Sequence, residues 1–221
     1  YRDYLIKQVE KSDKITIKLG VTATPDIVAK ENPVAVIVAI GAKEIMPPLK
    51  GIELENVVKS TDVYGNESKL GDKIVIIGGG SVGCETAIHL GTLNKKVHVL
   101  EMGDKLIPNG DETPEETLTT LFYLEHELIM GAKSLAETKK SDRINTYVNT
   151  KCVEITDSGV WMENKKGERE FLECDNVILA TGYKIDEEAV RAFDNLSEDF
   201  ITVGDCYKVA NILNTSSTGY Y

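Results

Sequence analysis

Apolar side chains along this chain fall in short dense runs broken by glycine and polar residues. Residues 73–77 (KIVII) form such a run, rich in β-branched side chains, and predict a strand buried on both faces. Gly78, Gly80 and Gly83 follow at once in G-x-G-x-x-G spacing. From Ser81 to about Leu93 the apolar period becomes helical, with Gly83, Ala87 and Leu90 along one face. Residues 96–100 (KVHVL) predict a second strand, closed by Glu101. Strand, glycine turn, helix, strand and acid fit within one βαβ unit of about 30 residues.

The rest of the chain yields to the same reading. Tyr1, Leu5, Ile6 and Val9 predict an amphipathic helix over 1–11, and the alternation over 15–19, ending at Gly20, predicts a strand. Thr24 as N-cap and Pro25 at the first helical position predict a short helix ending near Asn32 and Pro33. Residues 34–40 predict a buried strand leading into Gly41. Pro47 and Pro48 stiffen an extended crossover to Tyr64, and 65–71 reads as a linker. Beyond Glu101 a polar stretch runs to Glu112. A helix is predicted over 114–130, faced by Leu118, Leu121, Phe122, Leu128 and Ile129, and 133–142 is weakly patterned. Residues 143–156 and 159–172 predict strands of an antiparallel meander, turning at Asp157 and Ser158 and again at 165–167. A buried strand over 176–180, a short helix over 186–193, a strand over 200–203 and a helix from near Val209 complete the pattern.

One design occurs twice. VAVIVAIG (34–41) and DNVILATG (175–182) are both buried strands ending at a small residue and a glycine, and they flank the glycine fingerprint. Such flanking arises when one nucleotide-binding domain is inserted in another. Gly41, and Ala180, Thr181 and Gly182, then each lie at a strand end beside a cofactor. The expected fold class is α/β. A Rossmann-like three-layer dinucleotide-binding domain (parallel sheet plus antiparallel meander) over 69–182 is inserted in a second, partial domain made of 1–68 and 183–221.

The residue types in the fingerprint suit a dinucleotide. Gly78 permits the tight turn, Gly80 leaves room for a pyrophosphate, and Gly83 lets the helix pack close to the strand. Gly79, Ser81 and Val82 complete the turn and the helix start, whose N–H groups and dipole attract phosphate. Glu101 can accept hydrogen bonds from the adenosine ribose hydroxyls. Its charge repels a 2′-phosphate, and the nearest cation along the chain is Lys105, so NAD(H) is predicted over NADP(H).

Composition removes other classes. The 221 residues carry 36 acidic and 25 basic side chains, a net charge of −11, which disfavours nucleic acid and anionic lipid as partners. A hydrophobic fraction of 42% suits a globular protein. No apolar run approaches the about 20 residues of a membrane span, and no signal peptide is visible. Cys84, Cys152, Cys174 and Cys206 are scattered without C-x-x-C or zinc spacing, which points to reduced thiols in a cytoplasm and to no metal site. Cys84 and Cys206 read as small structural residues, and His89 and His98 as ordinary histidines. Lys165 and Lys166 read as a solvated hairpin tip. No initiator Met is present and both ends read as interrupted helices, so the chain is expected to be part of something longer.

Four stretches carry a family resemblance: PPLKGI (47–52), GDKIVIIGGGSVGCETA (71–87), ILATGYK (178–184) and ITVGDCYKVANIL (201–213). They resemble the C-terminal FAD/NAD(P)-binding region of NADH:flavin oxidoreductases of the old yellow enzyme type. That group includes enoate reductases, dienoyl-CoA reductases and trimethylamine dehydrogenase, and its C-terminal region has a pyridine nucleotide-disulfide oxidoreductase-like fold. The resemblance implies that the fingerprint holds NAD(H), with Glu85 toward the nicotinamide. It also implies that 1–68 and 183–221 belong to an FAD-binding domain, where Gly204 and Asp205 meet the ribityl and pyrophosphate region of FAD. Hydride would pass from NADH to FAD, and electrons then singly through an iron–sulfur cluster to FMN in a separate N-terminal barrel, for reduction of an enoate-type substrate.

The chain departs from that pattern. The first glycine fingerprint for FAD, the barrel and the cysteine cluster are absent, Ile40 replaces a usual Thr, and Val34 an acid. Little or no FAD is therefore expected on this chain alone. The expected partners are NADH, the remaining FAD domain and the barrel of the same protein, with a homo-oligomer left open. Hydride transfer is governed by proximity, so no catalytic acid or base is assigned. The rival expectations are a stand-alone pyridine nucleotide reductase of the NADH oxidase or ferredoxin reductase type, and a non-catalytic NAD-binding module.

Overall fold

The computed structural model describes residues 2–107, 143–210 and 212–219. In chain order the helices are α1 (Arg2–Glu10), α2 (Pro25–Ala29), α3 (Ser81–Thr92), α4 (Glu187–Arg191) and α5 (Ile212–Thr218). The strands are β1 (Ala35–Val38), β2 (Lys43–Glu44), β3 (Val57–Lys59), β4 (Lys73–Ile77), β5 (Lys96–Leu100) and β6 (Ile144–Tyr147). They continue with β7 (Thr150–Thr156), β8 (Gly159–Asn164), β9 (Arg169–Glu173), β10 (Asn176–Leu179), β11 (Tyr183–Lys184) and β12 (Asp199–Thr202). The chain divides into two compact units, Glu44–Lys184 and Tyr1–Lys43 with Ile185–Tyr221.

The unit Glu44–Lys184 is built in three layers. Its central sheet has the order β3-β10-β4-β5-β6, with every neighbouring pair parallel. The β4 run shows why. Ile74 and Ile76 turn to α3 and pack with Ala87, Leu90, Val97, Val99 and Ile178. Val75 turns the other way and packs with Leu100, Val177, Ile155, Val160 and Met162. Each fully buried side chain of this size contributes about 1.5–3 kcal/mol, so a continuous apolar run is stable only between two layers. The third layer is the antiparallel meander β7-β8-β9. The α/β fold, with parallel sheet and meander, is the expected one.

Three details differ from expectation. Residues 143–156 are not one meander strand: β6 joins the parallel sheet, Asn149 turns at φ 52°, and β7 then starts the meander. The crossover after Pro47 and Pro48 contains β3, which pairs with β10. The stretch 65–71 is docked rather than free, with a 3-10 turn at Glu67–Lys69 and Leu70 buried in the core. Residues 44–68 therefore pack with this unit, so the boundary falls at 43/44 rather than near 68.

The other unit centres on the parallel pair β1 and β12, with Val36 opposite Phe200 and Ile37 opposite Ile201. Val36 and Val38 pack with Val190, Phe193 and Cys206. Ile37 is 63% exposed and Ile201 48%, so the expected buried strand is buried on one face. Residues 15–19 form no strand, because no partner lies alongside among the described residues, and Ile15, Ile17 and Leu19 are exposed. Helix α1 forms with no residue buried. Thr24 caps α2 by accepting the Ile27 N–H at 3.4 Å, and Asp186 caps α4 by accepting the Ala189 N–H at 3.3 Å. The helix expected over 114–130 and the stretch 133–142 lie outside the described residues. Among the described residues no helix is long and apolar enough to cross a membrane.

Candidate functional site

The fingerprint forms a tight turn between β4 and α3. Gly78 has φ 111°, and a Cβ there would lie 2.3 Å from the Ala180 carbonyl oxygen, so the end of β10 closes on the turn. A Cβ on Gly83 would lie 2.0 Å from the Gly78 carbonyl oxygen, so only glycine lets α3 approach this closely. Gly80 is different. Its φ of −71° suits any residue, yet among the described residues a Cβ there would meet nothing within 4 Å. Among the described residues no side chain caps α3, whose first-turn N–H groups have no intrahelical acceptor. Ser81 and Val82 are exposed beside them. A glycine that the backbone does not require, facing open space at an uncapped helix start, is a cradle that a pyrophosphate fits.

Glu101 stands at this turn. Its Oε2 accepts the Gly79 N–H at 2.7 Å and its Oε1 accepts the Gly103 N–H at 2.6 Å. Each carboxylate oxygen retains a lone pair for a ribose hydroxyl. Gly79 is also covered by the segment after Glu101. The Ile107 N–H donates to the Gly79 carbonyl at 2.8 Å, and a Cβ on Gly79 would lie 2.6 Å from Leu106 Cδ2. Gly103 and Leu106 were not legible as site residues, since no local pattern marks a contact back to the turn.

Cys84 donates to the Gly79 carbonyl at 3.4 Å and is buried. Burial, with smaller contributions from Glu101 and Glu85, pushes its thiol up to about 12, so it remains a neutral packing residue. Glu85 is exposed at the start of the second turn of α3, and among the described residues it makes no hydrogen bond or ion pair. At the end of β10, the Ala180 N–H donates to Ile77 at 2.9 Å, Thr181 Oγ1 donates to the Ile45 carbonyl at 2.6 Å, and Ile45 N–H donates to Gly182 at 2.9 Å. Ile45, Ala180, Thr181 and Gly182, with Val82 and Ser60, line a narrow cleft.

In the other unit, Gly41 and Gly204 bend at φ 72° and 69°. Asp205 Oδ1 accepts the Ala210 N–H at 3.3 Å and the Thr215 hydroxyl at 3.2 Å, and Thr218 Oγ1 accepts the Gly204 N–H at 2.9 Å. Asp205 thus fixes the approach to α5. Cys206 is buried and donates to the Val38 carbonyl at 3.0 Å.

His89 and His98 are both engaged within the fold. His89 bonds Glu67 at 2.8 Å and stacks on Tyr64, and this contact holds Glu67 down to about 2. His98 is buried beside the Tyr147 hydroxyl at 3.2 Å, and burial lowers its pKa. Among the described residues no three His, Cys, Asp or Glu side chains are placed to hold a metal. These residues offer no site for an iron–sulfur cluster.

Residues 6–210 match the pyridine nucleotide-disulphide oxidoreductase family. The chain belongs to that family. It is 30% identical over 218 residues to the bilirubin reductase of Mediterraneibacter gnavus, covering 98% of this chain and 31% of that protein. It is 27% identical over 225 residues to the NADH oxidase of Thermoanaerobacter brockii, covering 100% of this chain and 32% of that protein. A solved complex of 2-naphthoyl-CoA reductase superposes with a TM-score of 0.80 at 27% identity, covering 98% of this chain and 30% of that one. The chain spans about a third of the length of the curated relatives it matches.

Proposed function

We propose that this chain is the NADH-oxidising portion of a flavoprotein oxidoreductase. The observation that carries the reading is the Glu101 carboxylate bonded to the glycine turn at 2.7 Å, beside an uncapped helix start with open space at Gly80. The unit Glu44–Lys184 is the NAD(H)-binding domain, and the other unit is part of an FAD-binding domain.

When bound, the nicotinamide supplies a hydride and FAD accepts it. The chain contributes binding and orientation. The α3 N–H groups of Ser81, Val82 and Gly83 attract the pyrophosphate, and Glu101 accepts from the adenosine ribose hydroxyls. Val82 and residues 180–182 wall the opposite end of the coenzyme, with exposed Glu85 close in sequence to hold its polar groups. In the partial FAD domain, Gly204 and Asp205 contribute to the flavin nucleotide site beside Gly41. Orientation of two rings accounts for catalysis here, so no general acid or base is assigned.

The NADH oxidase relative supports onward transfer from FAD in a reductase of that type. The 2-naphthoyl-CoA reductase likeness supports the reading in which further domains, with FMN and an iron–sulfur cluster, reduce an enoate-type substrate in the cytoplasm. Rapid mixing of the full-length protein with NADH tests the common part of both. Loss of oxidised-flavin absorbance within the turnover time is expected, and NADH binding without any flavin reduction would favour a non-catalytic NAD-binding module.

A further inference from the structure

A cavity of about 460 Å³ opens at the bend that follows β5. Its lining includes Met102, Asn149, Lys151, Glu163, Lys165 and Lys166. Met102 directly follows Glu101. Asn149 is stitched to the same bend, because its N–H donates to the Gly103 carbonyl at 2.6 Å and the Thr150 N–H donates to the Glu101 carbonyl at 2.9 Å. The cavity and the ribose-binding carboxylate are thus parts of one fixed piece of backbone.

The charge of this cavity runs against that of the chain. Net charge is −11 overall. Here Glu163 is already engaged, by Lys151 at 2.7 Å and Arg169 at 2.8 Å. Glu168 takes the Asn164 Nδ2–H at 2.7 Å. Among the charged side chains that line the cavity, Lys151, Lys165 and Lys166 stand against Glu163, three cations and one carboxylate. Lys165 and Lys166 are exposed and in no ion pair among the described residues. Their backbone is held firmly. Asn164 Oδ1 accepts the Lys166 N–H at 2.9 Å and the Glu168 N–H at 3.1 Å, while Gly167 turns at φ 79°. Along the chain the nearest cation to Glu101 is Lys105, but folding brings the β8–β9 hairpin to the same bend.

We propose that this cavity receives the adenosine end of the coenzyme, against Met102, and that Lys165 and Lys166 hold a phosphate carried on its ribose. The inference rests on the dinucleotide reading of the glycine turn. A phosphomonoester carries close to two negative charges at neutral pH, which Glu101 repels and two hairpin ammonium groups attract. The coenzyme site therefore accepts NADPH alongside NADH, with discrimination set by the balance between Glu101 and the hairpin and sensitive to salt.

The test is titration of the full-length protein with NADH and with NADPH, at low and at moderate ionic strength, in wild type and in the double variant Lys165→Ala/Lys166→Ala. Both positions are exposed, so the fold is retained. The variant is expected to bind NADPH about tenfold more weakly and NADH within about twofold of wild type, as loss of charge-assisted bonds to one group requires. Wild-type NADPH affinity should fall more steeply with salt than NADH affinity. Equal effects on both coenzymes, or wild type binding NADH and refusing NADPH, would overturn this inference and leave the dinucleotide site standing. Wild type that binds neither coenzyme would overturn the dinucleotide reading, and this inference with it.

Discussion

The Glu101 side chain reaches back from the end of β5 to accept the Gly79 N–H at 2.7 Å. This one bond joins the two signals that lie 22 residues apart in sequence, the glycine turn and the terminal acid. The second oxygen holds the Gly103 N–H, so the carboxylate shapes the turn, and under the proposed function it also accepts from a hydroxyl pair.

Replacing this group separates its two roles. Glu101→Gln retains one acceptor for the two amides, so stability should fall by about 1 kcal/mol, read from thermal melting. NADH affinity should drop by about tenfold, or about 1.4 kcal/mol, while NADPH affinity drops less because a repelling charge goes with the carboxylate. A variant with unchanged affinity for NADH would show that the acid serves the turn alone.

Gly83 tests the packing of the helix on the strand. Its missing Cβ would lie 2.0 Å from the Gly78 carbonyl oxygen and 3.3 Å from Ala180 Cβ, both with little room to yield. Gly83→Ala should destabilise the domain by about 1–3 kcal/mol as other overpacked sites do, seen as a lower denaturant midpoint. An unchanged midpoint would mean that α3 sits further from β4 than described.

The fingerprint unit was legible from sequence because its strands are buried on both faces and its turn is local. Other elements were hidden for physical reasons. β3 is three residues long with a lysine at its end, too short to show a period. The break between β6 and β7 depends on a left-handed Asn149, a conformation that nothing in the flanking apolar pattern announces. Residues 15–19 alternate like a strand, but alternation makes a strand only when another strand lies alongside. The covering of Gly79 by Leu106 and Ile107 is a contact between segments, as is the meeting of the Lys165 and Lys166 hairpin with the bend at Glu101.

Three raised thiols predict a loss of stability at alkaline pH. Cys84 and Cys174 are pushed up to about 12 and Cys152 to about 11, each mainly by burial. Above the ordinary thiol value of 9.0 the unfolded chain releases these protons while the folded chain keeps them, so stability should fall as pH rises past 9. Urea melts at about pH 8 and about pH 10.5 check the sign. In the same range the native protein should resist alkylation at all three positions, and rapid labelling of Cys84 would contradict its neutral, packed state.

The acid limb has the opposite origin. Glu67 is held at about 2 by its bond to His89, so the stability from this pair is full above 4.5 and lost as pH falls toward 2. His98, lowered from 6.5 by burial, adds to the loss below 6.5, because the unfolded chain takes up its proton first. Glu67→Gln should flatten the decline below pH 4.5, and an identical decline would assign it to other carboxylates.

Gly80 offers the most direct measurement of where the coenzyme lies. Its backbone suits any residue and its Cβ would meet nothing within 4 Å among the described residues, so Gly80→Val should melt with wild type. With a pyrophosphate seated over the start of α3, those same methyl groups occupy its place. Titration of NADH into the full-length Gly80→Val protein should then show affinity reduced by about a hundredfold or more, as overlap with a bound phosphate requires. Wild-type affinity in a variant that folds normally would place the coenzyme elsewhere and contradict the account.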